Sequence, residues 1–131
     1  MIIDTSAVIA ILFQEPEARP FSNLIGQTSD CRISTVSYFE AAIVLDAARD
    51  PIVSRRLDQL IVDAAISVEA VTSTQGRIAR DAYRDFGKGS GHPAKLNFGD
   101  CFAYALARDT GEPLLFKGDD FSKTDLRSAL D

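Results

Sequence analysis

The chain opens on an apolar pair, Ile2 and Ile3, that stops at an acid, Asp4, followed by Thr5 and Ser6. A short β-branched run ending at capping residues reads as a buried strand handing over to a helix. A strand over 1–4 and a helix over 7–13 are therefore expected. Glu15, Pro16 and Glu17 begin a second helical stretch, since proline is tolerated in the first turn and the helix dipole favours acids there. Gly26 ends it after Ile25, and residues 31–34 form the next strand candidate. Ser37 then opens an alanine-rich helix over 38–48. Asp50 and Pro51 start a helix through Ala65, in which Ile52, Val53, Leu57, Leu60 and Ile61 recur at helical spacing and read as core. Alternation over 66–71 predicts a strand, and 74–86 returns to a helical pattern. Residues 87–95, with three glycines and a proline, are expected as a flexible loop. Asn97 caps a helix over 98–108, Gly111 to Pro113 turns the chain, and 114–117 supplies the last strand.

Strands alternating with helices imply an α/β fold, a three-layer α/β/α sandwich whose central sheet is mostly parallel and covered on both faces. No linker-like stretch divides the sequence, so one domain over 1–131 is expected, long enough to bury about two-thirds of its unfolded surface. Hydrophobic residues at 46% and charged residues at 25% fit a globular rather than a disordered chain. The first apolar run, 8–13, is too short to span a bilayer, and no basic leader or cleavage signature precedes it, so no membrane role and a cytoplasmic location are expected.

Cys31 and Cys101 lack zinc-ligand spacing and are expected as buried apolar residues. His92, the only histidine, is expected to be solvent-exposed in the glycine-rich loop, which argues against Ser-His-Asp or Cys-His catalysis. A net charge of −5 argues against broad affinity for nucleic acid. It leaves room for a nuclease whose acidic pocket is neutralised by metal. Lys88, Lys95, Lys117, Lys123 and Arg127 are the bases that would hold a strand there.

Asp4, Glu40, Asp100 and the Asp119-Asp120 pair each fall where a strand ends or a helix begins. In an open parallel sheet those ends share the edge at which ligands bind. Carboxylates gathered on one edge raise each other's pKa unless a cation holds them, and such oxygen ligands suit Mg²⁺ or Mn²⁺. Each acid also has a local explanation. Asp4 can cap the helix that follows, and Glu40 and Asp100 stand at capping-box spacing from Ser37 and Asn97. Asp119 and Asp120 follow Gly118 in a turn that recruits aspartate. It is their coincidence on one edge that points to a site.

Ile2-Ile3-Asp4-Thr5-Ser6-Ala7, then Ser37-Tyr38-Phe39-Glu40-Ala41, the segment from Leu96 to Ala105, and the segment from Leu114 to Asp125 occur in order along the chain. Together they resemble the PIN-domain ribonucleases, and most closely the VapC toxins of type II toxin-antitoxin pairs. The resemblance covers essentially the full chain. It implies metal-dependent hydrolysis of RNA, with Asp4, Glu40, Asp100 and Asp120 as the catalytic acids. Asp4 and Asp100 would be the principal ligands of Mg²⁺, for which Mn²⁺ may substitute, with Glu40 and Asp120 completing the pocket. Asp120 is preferred over Asp119 because it directly precedes Phe121. A VapB-type antitoxin and a homodimer are implied as well. One departure stands out: Phe116 occupies a position where the family commonly has threonine, so a hydroxyl is missing or supplied elsewhere.

Two other readings stay open. One is a magnesium-dependent phosphohydrolase of small phosphate esters, weakened because position 6 is serine rather than a second aspartate. The other is a non-catalytic protein-binding PIN-like module that uses helical faces around Phe13, Phe21, Leu57 and Leu60.

Overall fold

A computed structural model describes residues 1–131. Ile2–Ile3 (β1) leads directly into Thr5–Leu12 (α1), because Asp4 is extended and its carboxylate accepts the Ser6 amide as the helix cap. After Ala18–Gln27 (α2), Arg32–Ser34 (β2) passes without a loop into Thr35–Ala47 (α3). Pro51–Asp63 (α4), Ser67–Glu69 (β3), Ser73–Phe86 (α5), Phe98–Thr110 (α6), Leu114–Leu115 (β4) and a 3₁₀ turn over Phe121–Lys123 complete the chain.

The sheet has the order β3-β2-β1-β4 and is parallel throughout, where the sequence pattern predicts it only as mostly so. Its two faces bury different sets of residues, as alternation along a strand requires. Ile3, Ile33 and Leu115 pack with Val8, Leu12, Phe21, Leu45 and Leu57 beneath α1 to α4. Ile2 and Leu114 pack with Ala79, Ala82, Cys101 and Leu106 beneath α5 and α6. This is the expected three-layer arrangement.

Several boundaries differ from the sequence reading. α3 is capped by Ser34, whose Oγ accepts the Val36 amide, and not by Ser37, which lies buried inside the first turn. The last residue of β2 thus doubles as the cap, and the helix starts three residues early. α2 begins at Ala18 rather than Glu15, because Gln14 adopts a left-handed φ of 54° and turns the chain first. The freed acids, Glu15 and Glu17, hold the Lys117 ammonium at 3.2 and 3.3 Å. In α4, Leu57 is buried and Val53, Leu60 and Ile61 pack against the core, but Ile52 faces solvent. Burial of Phe21 and Leu57 also removes them from any docking face.

The 87–95 segment is tied down at both ends, with the Lys88 amide donating to Leu96 and the Leu96 amide to Phe86. His92 is half-buried rather than exposed: its Nδ1 accepts the Ala94 amide and its ring meets Phe86 edge-on at 4.9 Å. Cys31 and Cys101 are buried free thiols, as expected.

Candidate active site

The carboxyl ends of β1, β2 and β4 and the amino end of α6 meet at one edge of the sheet. Asp4 ends β1 there and is only 4% exposed. Its Oδ2 accepts the Ser6 amide at 2.9 Å and the Ser6 hydroxyl at 2.6 Å. The Ser6 Oγ in turn accepts the Lys117 amide at 2.9 Å, linking the end of β1 to the residues after β4. Burial is the main force raising the Asp4 pKa, the Ser6 bonds oppose it, and the Glu40 charge adds to it.

Glu40 lies in the second turn of α3, so the capping box proposed for it with Ser37 does not exist. Its Oε1 accepts the Thr5 hydroxyl at 3.3 Å, and the same hydroxyl donates to the Ser37 carbonyl at 2.9 Å. Glu40 is raised chiefly by burial, with the Asp100 charge contributing, while the Thr5 bond lowers it. Gly99 of α6 packs directly against this carboxylate.

Asp100 does form its capping box: its Oδ2 accepts the Asn97 amide at 3.0 Å and its own amide donates to Asn97 Oδ1 at 2.8 Å. Its pKa is nevertheless pushed up to about 6, first by burial and then by the charges of Asp4 and Asp120, against the Asn97 amide and Lys88. One side chain thus serves both the cap and the pocket. Asp120 sits exposed in the turn after β4, where Gly118 supplies a φ of 97°, and buried Phe121 anchors the turn on Phe116 at 5.3 Å. Asp119 instead lines a depression shared with Glu17, Phe21 and Lys117.

The five candidate bases separate. Lys117 is held by Glu15 and Glu17, and Arg127 donates to the Gly111 carbonyl. Lys88 is the one whose charge acts on Asp100. Phe116 offers no hydroxyl and is buried, while Ser6 supplies one at the junction of β1 and β4. Gly99 escaped the sequence reading, although its place between Asn97 and Asp100, inside the first turn of a helix, was the available signal.

No three Asp, Glu, His or Cys side chains converge closely enough to enclose a metal ion unaided. The set still fits a hard divalent cation, because Mg²⁺ retains several waters and is usually held by one or two carboxylates. The mutual charge of Asp4, Glu40 and Asp100 is what such a cation would relieve.

Carboxylates gathered at the sheet edge of an α/β/α sandwich mark the class of α/β proteins whose ligands bind outside the carboxyl ends of the strands, with oxygen donors that suit a hard divalent cation. The PIN domain family matches residues 1–126, and the chain belongs to that family. Over all 131 residues it is 56% identical to Ribonuclease VapC28 of Mycobacterium tuberculosis, covering 98% of that protein. It is 48% identical over 129 residues to Ribonuclease VapC42 of the same organism, covering 98% of each chain. Its fold matches the crystal structure of Mycobacterium tuberculosis VapC20, described as a sarcin-ricin loop cleaving toxin, with a TM-score of 0.75, 16% identity and 95% of each chain covered. A toxin-antitoxin complex from Klebsiella pneumoniae gives a TM-score of 0.68 at 15% identity, covering 92% of this chain and 89% of that one. No helix is long and apolar enough to cross a membrane.

Proposed function

We propose that this chain, acting as one PIN-like domain over residues 1–131, is a VapC-type toxin: a cytoplasmic endoribonuclease that uses Mg²⁺, or Mn²⁺ in its place, to hydrolyse RNA phosphodiester bonds. The observation that carries this reading is the gathering of Asp4, Glu40 and Asp100, three acids remote in sequence, at a single sheet edge: Thr5, next to Asp4, donates to Glu40, and Gly99, next to Asp100, packs against the Glu40 carboxylate. Full-length identity to proteins named VapC ribonucleases supports the substrate class.

Asp4 and Asp100 are assigned as the residues that would hold the cation, with Glu40 and Asp120 completing the pocket directly or through water. The bound metal would supply a water of lowered pKa and neutralise charge on the phosphoryl oxygens. Ser6 orients Asp4, Thr5 orients Glu40, and the Asn97 amide orients Asp100. Lys88 supplies positive charge beside these acids for an approaching phosphate. A VapB-type antitoxin and a homodimer follow as proposed partners, the first supported by the toxin-antitoxin complex that shares this fold.

The decisive assay is cleavage of RNA by purified protein with Mg²⁺, with Mn²⁺ and with chelator. Activity should require the cation and vanish in Asp4→Asn and Asp100→Asn. Metal-independent cleavage, or an Asp4→Asn/Asp100→Asn double variant as fast as the parent, overturns the assignment. Faster turnover of a small aryl phosphate than of RNA would favour the phosphohydrolase reading instead.

A further inference from the structure

Beside the acids, on the other side of the first turn of α6, a groove of about 460 Å³ runs between α5 and α6. Its lining combines small residues, Gly76, Ala79 and Cys101, with the rings of Tyr83, Phe98 and Phe102. Phe98 is 74% exposed although it is the first residue of α6, and its ring stands 5.2 Å from that of Phe102. Tyr83 is 44% exposed on the facing helix. Phe98, Phe102 and Tyr83 together give the groove an aromatic lining.

Two features identify the occupant. The first is proximity to the acids: Phe98 adjoins Gly99, which packs against the Glu40 carboxylate, so groove and pocket lie on different faces of the same first turn of α6, within the reach of a strand that bends over the helix end. The second is charge. Arg84 of α5 pairs with Asp81 and Asp85, and Arg108 of α6 with Asp125, whereas Arg80 at the groove makes no ion pair. On a chain of net charge −5, an unpaired arginine among exposed rings beside a phosphate-processing pocket suits a single-stranded polyanion with flat bases.

We propose that the α5/α6 groove is the subsite for one unstacked base flanking the scissile phosphate, with Phe98 as its stacking face and Arg80 as the contact to the neighbouring phosphate. This deepens the ribonuclease reading and rests on it. The groove then sets which nucleotide is accepted beside the cut, while the acids carry out the reaction whatever the base. Phe98 and Arg80 act as specificity residues and make no contact with the metal.

The test uses a random-sequence single-stranded RNA pool with mapped cleavage sites, and anisotropy of a labelled single-stranded RNA on the metal-free protein. Phe98→Ala should raise KM and Kd about tenfold or more, the size of one lost base stack, while kcat is held. Base preference at one position flanking the cut should flatten. Phe98→Leu keeps the bulk without the π face and should give an intermediate loss, and Arg80→Gln should weaken binding with a smaller salt dependence. An abasic nucleotide at the flanking position should remove the difference between parent and Phe98→Ala. Unchanged KM, Kd and base preference in Phe98→Ala and Arg80→Gln overturn the subsite. So does normal cleavage combined with lost binding of a co-expressed antitoxin, which would make the groove a protein-docking face. If the parent cleaves no RNA with either metal, the ribonuclease reading fails by itself, and the anisotropy measurement still decides whether the groove holds RNA.

Discussion

A Cβ placed on Gly99 would overlap both carboxylate oxygens of Glu40. The Glu40 carboxylate therefore occupies the space that a side chain at residue 99 would need, and it is the movable end of its own side chain. Gly99→Ala should push Glu40 away from Thr5 and Asp100. A displacement of about 1 Å in a catalytic group is enough to cost on the order of a hundredfold in rate. Steady-state kcat/KM on a cleavable RNA, with circular dichroism to confirm folding, checks this; an alanine variant of parental activity would remove Glu40 from the site.

The raised pKa of Asp100 gives metal-free stability a definite sign. Its folded value of about 6 lies above the unfolded one, so its stabilising contribution is full below the unfolded value and is lost as pH rises through 6. Asp100→Asn removes that penalty and keeps an acceptor for the Asn97 amide. The variant should melt above the parent near pH 8, and the gap should close toward about pH 4. Adding Mg²⁺ should raise the parent's Tm more than the variant's. A Tm difference that is constant across this range would contradict the electrostatic account.

Ser6 serves two partners at once. Ser6→Ala withdraws the hydroxyl from Asp4 and leaves the Lys117 amide without its acceptor. Loss of stability by about 1 to 3 kcal/mol is expected from the orphaned amide. Urea unfolding measures it, and weaker divalent-cation binding by calorimetry should accompany it as Asp4 loses its orientation. Ser6→Thr, which keeps the hydroxyl, should recover most of both.

Asp119 and Asp120 should behave differently despite being neighbours. Asp120 acts on the charge of Asp100, while Asp119 lines the depression beside Glu17 and Lys117. Asp120→Asn should lower kcat/KM and shift the titration of Asp100 downward, as seen by carboxyl NMR. Asp119→Asn should leave both near parental values. Equal losses in the two variants would mean that the whole turn, rather than one carboxylate, shapes the pocket.

Local chemistry made much of this protein legible from its sequence. Asp4, Asn97 and Asp50 cap helices where the residue pattern places caps, because a capping bond joins groups only two or three residues apart. The alternation of short strands with helices likewise yields the three-layer fold, since parallel strands need crossovers. Glu40 shows where such reasoning stops. Its spacing from Ser37 imitates a capping box, but Ser34 is the cap, and only the packing of α3 against α6 turns Glu40 toward Asp100. The sheet order was equally invisible: placing β4 beside β1 is what carries the Lys117 amide to Ser6, 111 residues away in sequence. Hydrogen bonds within a turn are written in neighbouring residues. The meeting of carboxylates, the fit of Gly99 and the groove beside Phe98 depend on how whole helices pack, and that is decided by the tertiary structure.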